Sequence, residues 1–250
     1  MICMTPFALT EHLINGGRID GDGRRYRLTV PPTSADGYVD AQLDDYAHAL
    51  PRRFTNHPQQ TLAVRARFSH QQVKGTAGFG FWNHPFSREG AVVDSPCNVW
   101  FFYSSPESDL QVARGLPGHG FKASMLNSRR MPRAAITIGG LIFNALRHIP
   151  AASKVVMAAA RGAVNAAETM LDVDMTEWRE YRLNWRPEIA TFHMNGKEIL
   201  RATRPPQTAL GFAAWIDNYR ASAGGSRYEF AYVGVTQEQW MEIEIMGDDD

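Results

Sequence analysis

The stretch "YRLNWRPEIATFHMNG", residues 181 to 196, decides the fold of this chain. Its first run, YRLNW, alternates apolar and polar residues, which is the period of a strand with one buried face. Pro187 then removes a backbone donor and marks a corner. A second alternating run ends at Asn195 and Gly196, a pair typical of a two-residue type I′ turn, in which both central residues need positive φ. The stretch therefore predicts two strands and a β-hairpin turn at the rim of a sheet.

The same alternation, bounded by Gly, Pro, Asn or Asp, covers most of the chain. It is found in RRYRLTV (24–30), TLAVRARF (61–68), GFGFWN (78–83), NVWFFYSS (98–105), LGFAAWID (210–217) and RYEFAYVGV (227–235). Many short strands joined by short turns indicate an all-β sandwich of two antiparallel sheets, or jelly roll. A chain of 250 residues, 44% of them hydrophobic, can bury one large core. We therefore expect a single domain over residues 1–250.

One segment departs from this pattern and predicts a helical insertion at about residues 127–172. The stretch AASKVVMAAARGAVNAAETML (151–171) is rich in Ala, and its polar residues Lys154, Arg161, Asn165 and Glu168 form one stripe on a helix. Residues 120–170 hold seven Lys or Arg and one acid. Such a helix either packs over the sheet with its basic stripe solvated, or lies on a membrane surface or binds a partner.

Charge and cysteine content narrow the class of protein. Lys plus Arg and Asp plus Glu are equal at 26 each, which argues against nucleic acid as a partner. Cys3 and Cys97 are too few for a disulfide framework, and no Cys/His cluster has zinc-ligand spacing. The first residues lack the features of a signal peptide. We expect a cytoplasmic protein with no cofactor and no catalytic metal; a structural calcium ion and the oligomeric state stay open.

The segment EWREYRLNWRPEIATFHMNGKEIL (177–200) resembles concanavalin A-like lectin/glucanase proteins, especially laminarinase- and lichenase-type glycoside hydrolases of family sixteen. The positions in register with that family's motif are Tyr181, Trp185, Pro187, Ile189, Phe192 and Gly196. Asn195 stands where the family usually has Asp. With weaker similarities, the resemblance covers residues 37–126 and 175–235. It implies a concanavalin A-like jelly roll with a ligand in the concave groove of one sheet.

The residues that cleave sugars in that family are missing. The family carries Glu-x-Asp-x-x-Glu on the strand after its Trp-rich strand, where two carboxylates act as nucleophile and acid/base. The corresponding strand here places Asn98, Trp100 and Phe102 at those positions. An amide and two aromatic rings supply neither a nucleophile nor a proton donor of that kind. The family's hydrolytic role is therefore not expected to transfer.

The substituted groove suggests a binding site instead. Its predicted floor is aromatic, formed by Trp82, Trp100, Phe102 and Trp215, although such residues on strands also serve as core. The polar side chains expected around this floor are Gln42, Arg65, His84, Asn98, Asp217 and Asn218.

Three functions follow from this interpretation. The first is a non-hydrolytic, glycosidase-like protein that binds a saccharide or another small-molecule ligand. The second is an isomerase, cyclase or lyase acting on an apolar small molecule beneath the insertion. The third is a membrane- or partner-binding module that works through the basic helix.

Overall fold

The computed structural model describes residues 9–46, 52–85, 94–109, 115–128, 164–222 and 229–247. These ranges contain sixteen strands, and every pairing between them is antiparallel. No α-helix occurs in them, and so none that could cross a bilayer. The prediction of an all-β protein is confirmed for the described part of the chain.

The first large sheet, called sheet A, has seven strands. In spatial order they are β1 (Thr10–Ile14), β4 (Asp40–Asp44), β13 (Gly211–Asp217), β6 (Thr76–Trp82), β7 (Cys97–Ser104), β8 (Gly120–Asn127) and β9 (Asn165–Met170).

The second large sheet, sheet B, also has seven strands. In spatial order they are β12 (Lys197–Thr203), β11 (Ile189–Met194), β10 (Arg179–Trp185), β5 (Gln60–Phe68), β16 (Gln239–Ile245), β3 (Arg25–Val30) and β2 (Arg18–Gly21). A small separate sheet pairs β14 (Tyr219–Ser222) with β15 (Glu229–Tyr232).

The core lies between the two large sheets, so that their arrangement is a sandwich. Phe79 and Phe101 of sheet A meet Tyr181 and Phe192 of sheet B, with ring centroids 5.2 Å apart for Phe79–Tyr181 and 5.5 Å for Phe101–Phe192. Trp185 is fully buried and donates a hydrogen bond from Nε1 to the Pro206 carbonyl. The apolar face of the stretch that predicted the fold is therefore one wall of the core.

The predicted hairpin turn is also confirmed. Asn195 and Gly196 connect β11 to β12 with φ values of 48° and 78°, the left-handed values that a type I′ turn requires. The Asn195 side-chain oxygen also accepts a hydrogen bond from the Glu180 backbone at 3.0 Å. The Asn at this position therefore stabilises the junction between the hairpin and β10.

The predicted helical insertion needs correction at its C-terminal end. Residues 165–170 form strand β9, which pairs with β8, so Asn165 and Glu168 lie on a strand and not on a helix. Long-range pairing to the sheet edge outweighs the helical preference of this Ala-rich segment. The rest of the predicted helix, residues 129–163, lies outside the described residues, as does any membrane or partner contact made through it.

Candidate ligand-binding face

Four aromatic rings meet on the outer face of sheet A, the face turned away from the core. The Trp100 ring centroid lies 5.1 Å from Trp215, 5.6 Å from Trp82 and 5.2 Å from Phe102. Trp215 is almost fully buried, whereas the other three rings are half-buried. We call this group of Trp82, Trp100, Phe102 and Trp215 the aromatic row.

Two glycines of β6 make the aromatic row possible. Gly78 lies between Phe102 and Trp215 on the neighbouring strands, and Gly80 lies beside Trp100. A Cβ atom at Gly80 would lie 2.5 Å from the Trp100 Cα, and one at Gly78 would lie 3.0 Å from Trp215 Cη2. Because neither glycine carries a side chain, rings from β7 and β13 meet above β6.

Tyr46 joins the aromatic row to polar neighbours. Its hydroxyl oxygen accepts hydrogen bonds from Trp82 Nε1 at 2.8 Å and Gln42 Nε2 at 3.2 Å. The hydroxyl also lies 3.1 Å from His84 Nδ1, and we assign its proton to this contact because Trp82 and Gln42 are both donors. Burial raises the pKa of Tyr46 well above its ordinary value, so this proton is retained at neutral pH.

The same assignment determines the tautomer of His84. With Nδ1 accepting from Tyr46, the proton of the neutral ring is assigned to Nε2. The imidazole stacks on Trp82 with centroids 4.6 Å apart. The His84 backbone has a φ of 37°, a left-handed conformation that is uncommon for a residue other than glycine. Such strained residues are often found at functional sites.

Asn98 brings an unused acceptor to this face. It alternates with Trp100 on β7 and lies opposite Trp82 on β6. The residue is 7% exposed, and its Oδ1 atom has no hydrogen-bond partner in the described part of the chain. A buried acceptor without a donor costs about 1–3 kcal/mol. Because that oxygen is itself buried, a ligand hydroxyl would reach it only if a neighbouring side chain moved aside.

Two carboxyl groups lie side by side at one end of the face, since Asp217 of β13 is directly opposite Asp40 of β4. Asp217 accepts four hydrogen bonds, from Thr76 N, Thr76 Oγ1, Tyr219 N and Tyr38 Oη. Burial raises the pKa of Asp217 to about 6, and burial together with the Asp217 charge raises that of Asp40 well above its ordinary value. The pair therefore favours a shared proton.

At the opposite side of the face, β8 and β9 hold a buried ion pair. Lys122 Nζ lies 3.9 Å from Glu168 Oε2, and the two side chains are 1% and 3% exposed. The Ser124 hydroxyl donates to Glu168 Oε1 at 3.2 Å. The register places Lys122 beside Phe102 and Ser124 beside Trp100, so the polar groups adjoin the aromatic row.

The structure brings together seven of the ten predicted ligand residues. The seven are Gln42, Trp82, His84, Asn98, Trp100, Phe102 and Trp215. Asp217 shares their face, but its carboxylate is held by the four donors described above.

Arg65 and Asn218 were wrongly placed by the sequence. Arg65 belongs to β5 of sheet B, where it faces Glu244 and the Trp178 ring. Asn218 is fully buried, and its side chain bonds the Val39 nitrogen and the carbonyl oxygens of Gly37 and Val233. Among the described residues, these contacts of both side chains lie outside the aromatic row.

Sequence analysis missed Tyr46, Lys122 and Glu168. The alternation in DAQLDDY (40–46), which puts Asp40, Gln42 and Asp44 on one face of a strand, is a signal that could have pointed to Tyr46. Lys122 alternates with buried residues on a recognisable strand, but Glu168 was assigned to the helix. Among the described residues, no three His, Cys, Asp or Glu side chains are grouped to hold a metal ion.

Comparisons with known proteins bear on the fold only. No family model matches the chain, and no curated protein matches it. Similar solved structures include a GlcNAcα1-4Gal releasing endo-β-galactosidase from Clostridium perfringens, at 9% identity and a TM-score of 0.48. The match covers 93% of this chain and 55% of the galactosidase chain, so this chain spans about half the length of that protein.

Two further structures belong to glucanases. A family 16 endo-glucanase from Bacteroides ovatus has 7% identity and a TM-score of 0.46, with 95% of this chain and 94% of that chain covered. The catalytic domain of a laminarinase from Thermotoga petrophila has 10% identity and a TM-score of 0.40, with coverages of 92% and 82%. These proteins belong to the class that the hairpin motif resembles. The chemistry of the face rests on this chain's own side chains.

Proposed function

We propose that the outer face of sheet A binds a saccharide and does not cleave it by the paired-carboxylate mechanism. The observation that carries this proposal is the aromatic row, in which Trp82, Trp100 and Phe102 are half-buried and so reach the surface. Flat aromatic faces provide apolar contact for a sugar ring, and amide oxygens accept bonds from its hydroxyls. The glycosidase names of the similar structures agree with a saccharide ligand.

The burial and the spacing of the carboxyl groups Asp40, Asp217 and Glu168 support binding without cleavage. Asp40 and Asp217 are neighbours, but they are 3% and 5% exposed and Asp217 is saturated with donors. Glu168 lies four strands from Asp217 in sheet A. At about 4.8 Å per strand this is roughly 19 Å, too far for two carboxylates that must flank one glycosidic bond at about 5–9.5 Å.

Calorimetric titration with a β-1,3-linked glucose hexasaccharide tests the proposal, using Trp100→Ala. We expect wild-type protein to bind and the variant to lose at least about tenfold in affinity, as truncating a buried aromatic anchor commonly does. Trp178→Ala is the matched control, because Trp178 is a half-buried indole next to arginines on the outer face of sheet B. Equal affinity for both variants, or no saccharide binding by wild type, removes the proposal.

A further inference from the structure

A second group of aromatic side chains lies beyond one end of the aromatic row, on and beside the small sheet of β14 and β15. Its members are Tyr38, Tyr219, Phe230 and Tyr232, and we call them the hairpin cluster. Tyr38 stacks on Tyr232 with ring centroids 5.6 Å apart, and Tyr219 stacks on Phe230 with centroids 5.9 Å apart. The Tyr38 and Tyr219 rings meet edge to face at 6.2 Å. The four rings therefore form one continuous cluster.

The hairpin cluster continues the outer face of sheet A. Trp215, Asp217 and Tyr219 occupy alternate positions of the chain, and Tyr38 precedes Asp40 of β4 by the same two residues. The Tyr38 hydroxyl donates to Asp217 Oδ2 at 3.2 Å, and the Tyr219 nitrogen donates to Asp217 Oδ1 at 3.0 Å. Because the chain advances at most about 3.6 Å per residue, the Cα atoms of Trp215 and Tyr219 are no more than about 14 Å apart. The Asp40–Asp217 pair thus lies between two aromatic surfaces.

Phe230 gives the hairpin cluster an exposed surface. It is 53% exposed, and among the described residues the other exposed large apolar side chain is Leu13, at 46%. Tyr38, Tyr219 and Tyr232 are half-buried, so their rings also reach the surface. Apolar side chains that cluster at a surface commonly mark a binding site, whereas single ones need no such explanation.

Asn218 holds the hairpin cluster in place. Its side chain accepts a hydrogen bond from the Val39 nitrogen at 2.8 Å and donates to the Gly37 and Val233 carbonyl oxygens at 2.9 and 3.2 Å. These bonds connect the segment that carries Tyr38 to the β14–β15 hairpin. A surface that is ordered in this way before binding loses less entropy when a ligand arrives.

The chemistry of the hairpin cluster fits a sugar. Tyrosine combines a flat apolar face with a polar hydroxyl and has little side-chain entropy to lose on binding. The same kind of surface that makes the aromatic row a candidate saccharide site therefore occurs again on the same face. A single pyranose ring cannot cover both surfaces, whereas an oligosaccharide can.

We propose that the hairpin cluster is a second sugar-stacking subsite, in which Phe230 and Tyr219 contact another ring of the oligosaccharide that occupies the aromatic row. The inference rests on the proposed function and deepens it, because it makes the ligand a chain of several sugar rings and not a single sugar. Phe230 becomes a residue that determines the preferred length of the ligand.

The test is calorimetric titration of Phe230 variants with the β-1,3-linked glucose hexasaccharide. We expect Phe230→Ala to lose at least about fivefold in affinity, as the truncation of an aromatic contact commonly does. Phe230→Tyr keeps a flat ring and should bind like wild type. Phe230→Leu keeps apolar area without a flat ring and should bind weakly. Because Phe230 is exposed, all three variants should keep the wild-type urea midpoint.

Leu13→Ala is the matched control. Leu13 is also exposed, but it lies opposite the core residue Ala41 and so projects from the other side of sheet A. Its truncation should leave the affinity unchanged. An equal loss of affinity in Leu13→Ala and Phe230→Ala would overturn the subsite, because the effect would not depend on the face.

The remaining outcomes separate the two proposals. One hexasaccharide bound per protein, with affinity lost in both Trp100→Ala and Phe230→Ala, supports a ligand that spans both surfaces. Two hexasaccharides per protein overturn the spanning ligand. Wild-type affinity in Phe230→Ala or Phe230→Leu, with binding lost in Trp100→Ala, overturns the second subsite and keeps the proposed function. If wild type does not bind the hexasaccharide, the proposed function fails and the second subsite with it.

Discussion

Gly78 lies directly beneath the Trp215 ring, so that a Cβ atom at position 78 would come within 3.0 Å of Cη2 and closer still to the Phe101 carbonyl. The absence of a side chain on β6 thus sets how near the indoles of β7 and β13 approach each other. The alternation of Gly and Phe in GFGFW places aromatic rings in the core and empty positions under the aromatic row.

Gly78→Ala should destabilise the protein by about 1–3 kcal/mol, the range for overpacking, and displace Trp215. Urea unfolding measures the free energy, and near-ultraviolet circular dichroism reports the arrangement of the indoles. Gly37→Ala is the control, because a Cβ atom there meets nothing within 4 Å. Equal stability of both variants would mean that Trp215 does not depend on the gap at Gly78.

Tyr46→Phe should cost about 1–3 kcal/mol, because Trp82 Nε1 and Gln42 Nε2 lose their shared acceptor. The variant should also weaken saccharide binding by releasing His84. Tyr103→Phe removes another buried hydroxyl, which bonds the Val73 carbonyl away from this face. It should lower the free energy of unfolding and leave the affinity unchanged. If both variants bind alike, Tyr46 does not organise the face.

The His84 proton offers a direct spectroscopic test. Nitrogen-15 NMR at neutral pH should find the His84 proton on Nε2 in wild-type protein. The tautomer should become mixed in Tyr46→Phe, since the donor to Nδ1 is then gone. A proton on Nδ1 in wild-type protein contradicts the hydrogen bonds inferred around Tyr46.

Asp40→Asn should stabilise the protein at pH 7.5 but hardly at pH 4. The folded pKa of Asp40 is raised, and that of Asp217 is raised to about 6, so the folded state holds protons that the unfolded state releases. The stability that the Asp40–Asp217 pair contributes to wild-type protein is therefore fully present below the pKa of the unfolded state. It is lost as the pH rises through the pKa of the folded state.

We expect a gain of roughly 1–3 kcal/mol at pH 7.5. Urea unfolding at both pH values measures it, with the exposed Asp36→Asn as control. A larger gain at pH 4 than at pH 7.5 would refute the sign of the linkage.

Much of the sandwich could be predicted because its signals are local. A period of two residues identifies a strand whatever it pairs with, and the turn at Asn195 and Gly196 needs φ values that few residues adopt. Strand β9 was missed for the opposite reason. Its Ala-rich sequence favours a helix locally, and only the edge of β8, about forty residues away, makes it a strand.

The candidate face, too, was predicted where its signals are local and missed where they are not. Alternation on β7 placed Asn98, Trp100 and Phe102 on one side of a strand. Alternation does not show which sheet a strand joins. Arg65 was therefore expected beside the aromatic row, although it lies on β5 of sheet B. The bonds of Tyr46 to Trp82 and His84 join residues 36 and 38 positions apart, a relationship that no local pattern carries.

The central claim is that this face holds a saccharide intact, and one incubation tests it. Wild-type protein is equilibrated with the β-1,3-linked glucose hexasaccharide, and mass spectrometry follows both the complex and the free sugar. We predict a complex that contains the uncleaved hexasaccharide. Shorter oligosaccharides that disappear with Glu168→Gln or Asp217→Asn would contradict the claim, because they would show that carboxyl groups of this face cleave the sugar.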